Sequence, residues 1–444
     1  MQNFRPHFWL LATALWGHCG LLLASELTPV GAERAGNADG AIPPWTGGLT
    51  KPPPGYDPSE HESDPYPDDV PIDTITAANL ERFEARLSEG QRALFNRFPD
   101  TWQMRVYPTR RSAAYPEWVY DALQRNAEIA ARTTDVRAAL REARVSSPFP
   151  MPRTAEEVVW NHVLRWRGIH IRRSSGTAAV TPSGRYRLVW AIEDLGIPYA
   201  LPREISRGKF DNLLAAIKIK WLQPSQLTGV GALAHESIDP AGDPRKIWRY
   251  LPELRQVVQQ PKLTYELPAL YSDGLRTGDD FELFLGPPDA YEWELRGKQE
   301  LYIPYNAYRA HSGDLSVKDL VGAGHLNPKT LRYELHRVWV VEGTLRQGER
   351  HIYGKRVFYL DEDSWQIAVA DNYDLSGKLL RLGEAHAINY YTVPTVWATL
   401  YTMYDFEKHR YLVEGLDNER QPAQFSDTVD SREFTPNALN YYVR

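Results

Sequence analysis

Residues 333–416 alternate between short strand-like segments and polar turns, and 14 of these 84 residues are Phe, Trp or Tyr, against 12% aromatic for the whole chain. The turns fall at 361–364, 374–377 and 407–409. A strand sends successive side chains to opposite faces. Lys355, Val357 and Tyr359 therefore face one way, and Arg356, Phe358 and Leu360 the other. Trp339 and Val341 alternate with Val338 and Val340 in the same manner. Apolar residues on both faces describe an antiparallel sheet that is covered on both sides, not one with a face in water. So many large rings either fill a thick core or line a cavity for an apolar body. The expectation is helices over one face and a concave interior on the other. Alternation defines two faces without naming the inner one.

The start of the chain reads as a targeting segment. Arg5 precedes a mostly apolar stretch, 8–24, that ends in Leu21-Leu-Leu-Ala24. This is the pattern of a secretory signal cleaved after residue 24. Gly17, His18 and Gly20 interrupt it as a membrane span. Cys19 follows His18, whereas a lipidated cysteine follows a small residue. Cleavage removes Arg5 and no acid, so the formal charge goes from −6 to −7. An acidic chain argues against nucleic acid as a partner. Cys19 is the only cysteine, so the mature chain has no disulfide and must rest on a hydrophobic core, which its length can supply. No apolar run of about 18 residues recurs. These features point to the periplasm of a Gram-negative bacterium.

Residues 25–75 form a Pro- and Gly-rich arm, as in Ile42-Pro-Pro-Trp45 and Lys51-Pro-Pro-Pro-Gly55. Proline lacks the donor that sheets and helices need, so the arm is expected to be extended and irregular. It is either a loose linker or docked on the body through Trp45 and Tyr56. Residues 76–444 read as one domain, helical over 76–167 and β-rich over 168–444. Thr76 precedes Leu80, Phe83 and Leu87 at helical spacing, and Leu94, Phe95 and Phe98 follow Gly90. Pro116 opens a longer helix with Val119, Leu123, Ala127 and Ala130 on one face. Thr154 with Glu157 makes a capping-box pattern for a third. Strands are expected over 186–192, 213–221, 226–236, 246–251, 281–285 and 291–303.

The chemical motifs are weak. Gly229-Val-Gly231 with Ala234 mimics a dinucleotide fingerprint, but a β-like stretch follows it instead of a helix. A Gly-bearing, bent strand is the better reading. His235-Glu236 begins like a zinc-protease motif, but position 239 is Asp. His311, His325, His336, His351 and His386 lack tight ligand spacing. Asp361, Glu362 and Asp363 read as a hairpin turn, not as a calcium loop. No nucleophile elbow and no P-loop occurs. The expectation is a non-enzymatic protein with no cofactor, no metal and no catalytic residue.

Several strings carry a family likeness. They are Leu27-Thr-Pro-Val-Gly-Ala-Glu-Arg-Ala-Gly-Asn-Ala-Asp-Gly40, Val106-Tyr-Pro-Thr-Arg-Arg111, Arg332-Tyr-Glu-Leu-His-Arg-Val-Trp-Val-Val341 and Arg350-His-Ile-Tyr-Gly-Lys-Arg-Val-Phe-Tyr-Leu-Asp-Glu-Asp-Ser-Trp365. Through them the chain resembles bacterial domain-of-unknown-function family 1329, often labelled outer-membrane lipoprotein-sorting-protein-like. Lys246-Ile-Trp-Arg-Tyr-Leu-Pro-Glu-Leu-Arg-Gln-Val257 is similar to a strand–turn–strand of the wider LolA/LolB-type carrier fold. So is Val357-Phe-Tyr-Leu-Asp361 followed by Asp374-Leu-Ser-Gly-Lys-Leu379. The resemblance implies a mainly β fold with α: a curved, unclosed antiparallel half-barrel with covering helices, able to hold an acyl chain. It places Trp248, Tyr250 and Leu254 as candidate cavity residues, with ordinary core packing as their other reading. It implies a periplasmic carrier or adaptor for a lipid or other hydrophobic molecule. The implied partners are a resistance-nodulation-division type exporter and an outer-membrane protein. The alternative is a structural adaptor that bridges an inner-membrane pump and an outer-membrane partner without a ligand of its own.

Overall fold

The computed structural model describes residues 26–202, 212–240, 243–261 and 263–444; the signal segment expected over residues 1–24 lies outside them. In chain order the strands are β1 (Asp73–Ile75), β2 (Met104–Tyr107), β3 (His170–Val180), β4 (Tyr186–Gly196), β5 (Leu213–Gln223), β6 (Gly231–Ser237), β7 (Lys246–Leu251), β8 (Gln256–Gln259), β9 (Tyr291–Pro304), β10 (Tyr333–Leu345), β11 (Lys355–Asp361), β12 (Ile367–Tyr373), β13 (Leu379–Tyr390), β14 (Thr395–Asp405), β15 (Arg410–Leu416) and β16 (Gln424–Ser426).

Two meanders build one open sheet. Strands β3 to β8 pair antiparallel in chain order. Strands β9 to β15 do the same. The seam is the antiparallel pairing of β15 with β3. Beside it, β16 pairs with the start of β3. Strand β2 joins β10 in parallel and carries β1. This connectivity has a consequence. The first meander ends at one edge, β8, and the second starts at the other, β9. The chain between them, residues 260–290, must cross a face of the sheet, and it does so as an irregular strap.

A strand expected over 281–285 is absent. Phe281–Leu283 is a 3-10 turn in which Glu282 and Leu283 take positive φ values of 54° and 68°. Such backbone cannot continue a strand, and Pro287 and Pro288 follow it. Strand β3 was not anticipated, because Arg172-Arg-Ser-Ser175 hides its alternation.

The helices are α1 (Glu89–Arg97), α2 (Glu117–Ala131), α3 (Val136–Glu142), α4 (Ala155–Val163), α5 (Tyr308–His311), α6 (Val317–Leu320) and α7 (Pro436–Tyr442). Ser88 and Gln91 form a reciprocal capping box on α1. Thr154 caps α4 by accepting from the Glu157 amide, while the Glu157 carboxylate turns back to the Arg153 amide. The helix expected after Thr76 is two 3-10 turns, Leu80–Arg82 and Glu84–Arg86. No described helix is long and apolar enough to cross a membrane.

The sheet is packed on both faces, as the alternation requires. On one face α2, α4 and the strap cover Phe358, Leu360, Ile388 and Trp397. On the other, α1 and the segment before β10 cover Val357, Tyr359, Leu382 and Tyr404. The arm is docked. Trp45 Nε1 donates to the Ala113 carbonyl at 3.1 Å, and Tyr56 meets Tyr391 edge-on at 5.2 Å. The C-terminal segment with α7 packs Phe434, Leu439 and Val443 against Ala216, Leu233 and Tyr250.

Candidate functional site

One part of the sheet face under the strap is not filled. Between β5–β7 and the strap lies a cleft, partly open to solvent, with a cavity volume of about 140 Å³. Its floor follows a large–small–large pattern. In the strand register Ile219 pairs with Ala232 and Ile217 with Ala234, and Ala234 pairs in turn with Ile247. Ala234 thus lies between Ile217 and Ile247, and Ala232 between Ile219 and Arg249, and the two alanines leave a hollow. Leu267, Leu270 and Phe281 of the strap form the roof.

The strap is pinned by charge. Arg356 of β11 holds Asp279 and Asp280 at 2.6 and 2.7 Å. Arg276 meets Glu414 of β15 at 2.7 Å. Glu282 sits between two fully buried guanidinium groups, Arg165 at 3.0 Å and Arg167 at 3.4 Å. Burial alone would raise the Glu282 carboxyl, but Arg167 and Arg165 hold it down at about 2. Burial lowers Arg167 in turn, to about 10. Nearer the apolar floor the strap is held without an ion pair of its own: the Tyr265 hydroxyl donates to Glu236 at 3.0 Å, and Arg245, paired with Glu236, covers the Tyr265 ring.

The cleft has a polar side, and the strand order fixes where it lies. Its lining runs from Tyr401 on β14 through Glu414 on β15, Arg173 on β3 and Glu193 on β4 to the apolar floor on β5–β7. Arg173 and Glu193 pair at 2.8 Å. The Tyr401 hydroxyl is buried and has no hydrogen-bond partner among the described residues; burial pushes its ionisation far up. An unpartnered buried hydroxyl costs free energy that a ligand's polar group would recover. The arrangement suits an amphiphile whose apolar part lies over Ala232 and Ala234. Each cleft carboxylate faces an arginine, which favours positioning over proton transfer.

The residues anticipated for the cavity lie elsewhere. Trp248 and Tyr250 alternate with the cleft residue Ile247 and so occupy the opposite face. There Trp248 meets His235 edge-on at 4.9 Å, and Tyr250 packs with Leu439 and Val443 under α7. Leu254 stands at the β7–β8 turn, 58% exposed. None of the three lines the cleft. His235 and Glu236 also split between faces: His235 contacts the Phe434 carbonyl, and Glu236 pairs with Arg245. The 361–363 turn is a buried anchor. Arg111 holds Asp363 through two hydrogen bonds of 2.8 and 2.7 Å, and Arg337 holds Glu362 at 2.7 Å.

A second group of buried acids lies under α1, away from the cleft. Ser88 Oγ donates to Asp371, and Gln91 Nε2 and the Tyr333 hydroxyl donate to Glu384. Burial raises both carboxyls to about 7.

Comparison with known proteins agrees with the family likeness. An uncharacterized protein of Pseudomonas aeruginosa is 41% identical over 418 residues, covering 94% of this chain and 91% of that protein. Among solved structures, a DUF1329 family protein from Desulfovibrio piger is 14% identical with a TM-score of 0.42. It covers 61% of this chain and 92% of its own. A LolA superfamily protein from Nitrosomonas europaea is 13% identical with a TM-score of 0.38, over 65% of this chain and 100% of its own. Residues 74–440 match the family described as a protein of unknown function, DUF1329, and the chain belongs to that family.

Proposed function

We propose that this protein is a periplasmic, non-enzymatic carrier that holds a lipid or similar amphiphile in the strapped cleft. The observation that carries the reading is the cleft floor. Two alanines, Ala232 and Ala234, leave open a space beside Ile217, Ile219 and Ile247 beneath the strap. Binding would be by partition. Each methylene removed from water contributes about 0.8 kcal/mol, so ten contribute about 8 kcal/mol before ordering costs. The polar head would lie toward Tyr401, Arg173 and Glu193. Release would require the stretch of strap around Tyr265 to lift, which suits handover at a membrane. For partners, the family resemblance favours a resistance-nodulation-division type exporter and an outer-membrane protein.

The test uses the untagged chain purified from periplasmic extract. Native mass spectrometry is expected to show a lipid-sized adduct. A fluorescent fatty acid is expected to bind one per chain and to be excluded by Ala234→Leu. No adduct together with no uptake would sink the carrier reading. Capture of the exporter by lipid-free protein, undiminished in Ala234→Leu, would instead favour the ligand-free adaptor.

A further inference from the structure

Beyond the polar end of the cleft, with Thr399 two residues from Tyr401 and Asp417 three from Glu414, the arm and the body bring together a cluster of metal-ligating side chains. His61 and Glu62 come from the arm, His311 from α5, Thr399 from β14, and Asp417 from just after β15. His311 is fully buried. Its Nε2 lies 2.8 Å from Glu62 Oε2 and its Nδ1 3.0 Å from Asp417 Oδ2. Thr399 Oγ1 is 2.8 Å from the same Nδ1. The His61 ring meets His311 edge-on at 4.8 Å, with its Nε2 3.3 Å from the Asp417 carbonyl oxygen. One ligand atom from each of His61, His311 and Asp417 falls within 4.8 Å of the others. The cluster adjoins a polar pocket of about 1540 Å³ of empty space, part of it open to solvent, which His61 and Glu62 line together with Arg309 and Arg420.

The geometry asks for a cation. An imidazole nitrogen and a carboxylate oxygen at 3.0 Å must share one, whether a proton or a metal ion. Glu62 at Nε2 fixes a proton on that nitrogen and turns Nδ1 toward Asp417 and His61. This is the outer carboxylate–histidine arrangement that orients a metal-binding imidazole. Two ligands on one tetrahedral ion at about 2.0–2.1 Å stand about 3.3 Å apart, close to the observed Nδ1–Oδ2 separation. Charge points the same way. Two carboxylates and an imidazolium sum to −1, whereas two carboxylates, two neutral histidines and a divalent ion sum to zero, and buried charge is costly unless balanced. Nitrogen ligands select a transition cation over calcium or magnesium, which prefer all-oxygen sites.

We propose that His61, His311 and Asp417 bind a divalent transition-metal ion of the Zn²⁺ type, with Glu62 orienting His311, and that the ion staples the N-terminal arm to the sheet. Binding exchanges the proton between His311 and Asp417 for the ion and releases that proton to solvent. The remaining coordination position would face the polar pocket.

The experiment titrates the untagged, chelator-treated full chain with ZnCl₂ by calorimetry and with CoCl₂ by visible absorption. Thermal melts are run with and without Zn²⁺. The expected result is one ion per chain and a higher Tm with Zn²⁺. His61→Ala, at a partly exposed position, is expected to weaken binding at least about tenfold and to abolish the Tm gain. Glu62→Gln is expected to weaken binding about 10–100-fold. Circular dichroism of the metal-free variants checks that they fold, and Asp417→Asn repeats the test from the body side. Absence of saturable binding, or equal affinity in the His61→Ala and Asp417→Asn chains, would overturn the proposal.

Discussion

The two meanders share one sheet and one alternation rule but spend their side chains differently. In β10–β15 both faces are closed: Phe358 and Leu360 are buried beneath α4 and the strap, Val357 and Tyr359 beneath α1. In β5–β7 the face away from the strap is closed by α7, while the strap face keeps a hollow over Ala232 and Ala234. The aromatic-rich half is therefore the filled half. Of its 14 rings, Tyr401 alone is among the cleft-lining residues. The dense aromatic run marks a thick core, and the open space lies instead over two alanines of the other half, beneath a crossing segment.

The sharpest way to break this contrast is to empty the filled half. Phe358→Ala is expected to cost about 3–5 kcal/mol, read by urea unfolding. A cost under about 1 kcal/mol would mean that β11 is as loosely covered as β6. A second probe uses the acids under α1. Asp371 and Glu384 titrate near 7 when folded, above the value of about 4 in an unfolded chain. The folded state therefore holds protons that the unfolded chain has released. Their contribution is complete below about pH 4 and is lost as pH rises through about 7, at roughly 4 kcal/mol for each group. Glu384→Gln keeps an acceptor for Gln91 and is expected to flatten the fall in stability between pH 4.5 and 7.5, by about half. Identical slopes would contradict the burial of Glu384. The smallest effect comes from the same substitution made in both halves. Ala370→Leu, in the fully buried β12, is expected to cost about 1–3 kcal/mol by overpacking. Ala234→Leu enters open space and is expected to cost less than about 1 kcal/mol. Equal costs would show that the cleft is closed in solution.

Much of the fold was legible because it is local. Pro116 and Thr154 marked helix starts, and the alternation at Val357–Leu360 gave two buried faces. The strap was not legible, since Phe281–Leu285 has strand composition and only the sheet order requires a crossing there. The cleft was missed for a related reason. Trp248 and Tyr250 are large and β-favouring, but their alternation with Ile247 sends them under α7, and no sequence rule said which face the strap would cover. Ala232 and Ala234 are inconspicuous until their neighbours across the strands are known. The His61–His311–Asp417 cluster joins positions some 250 and 350 residues apart, so spacing could not reveal it.

The most direct measurement is a crystal structure of the full chain with a brominated single-chain fatty acid, located by the anomalous signal of bromine. A bromine peak is expected between Ala232, Ala234 and the strap, with the carboxylate toward Tyr401. A peak on the Trp248–Tyr250 face, or no peak with the cleft filled by the strap's own side chains, would contradict it.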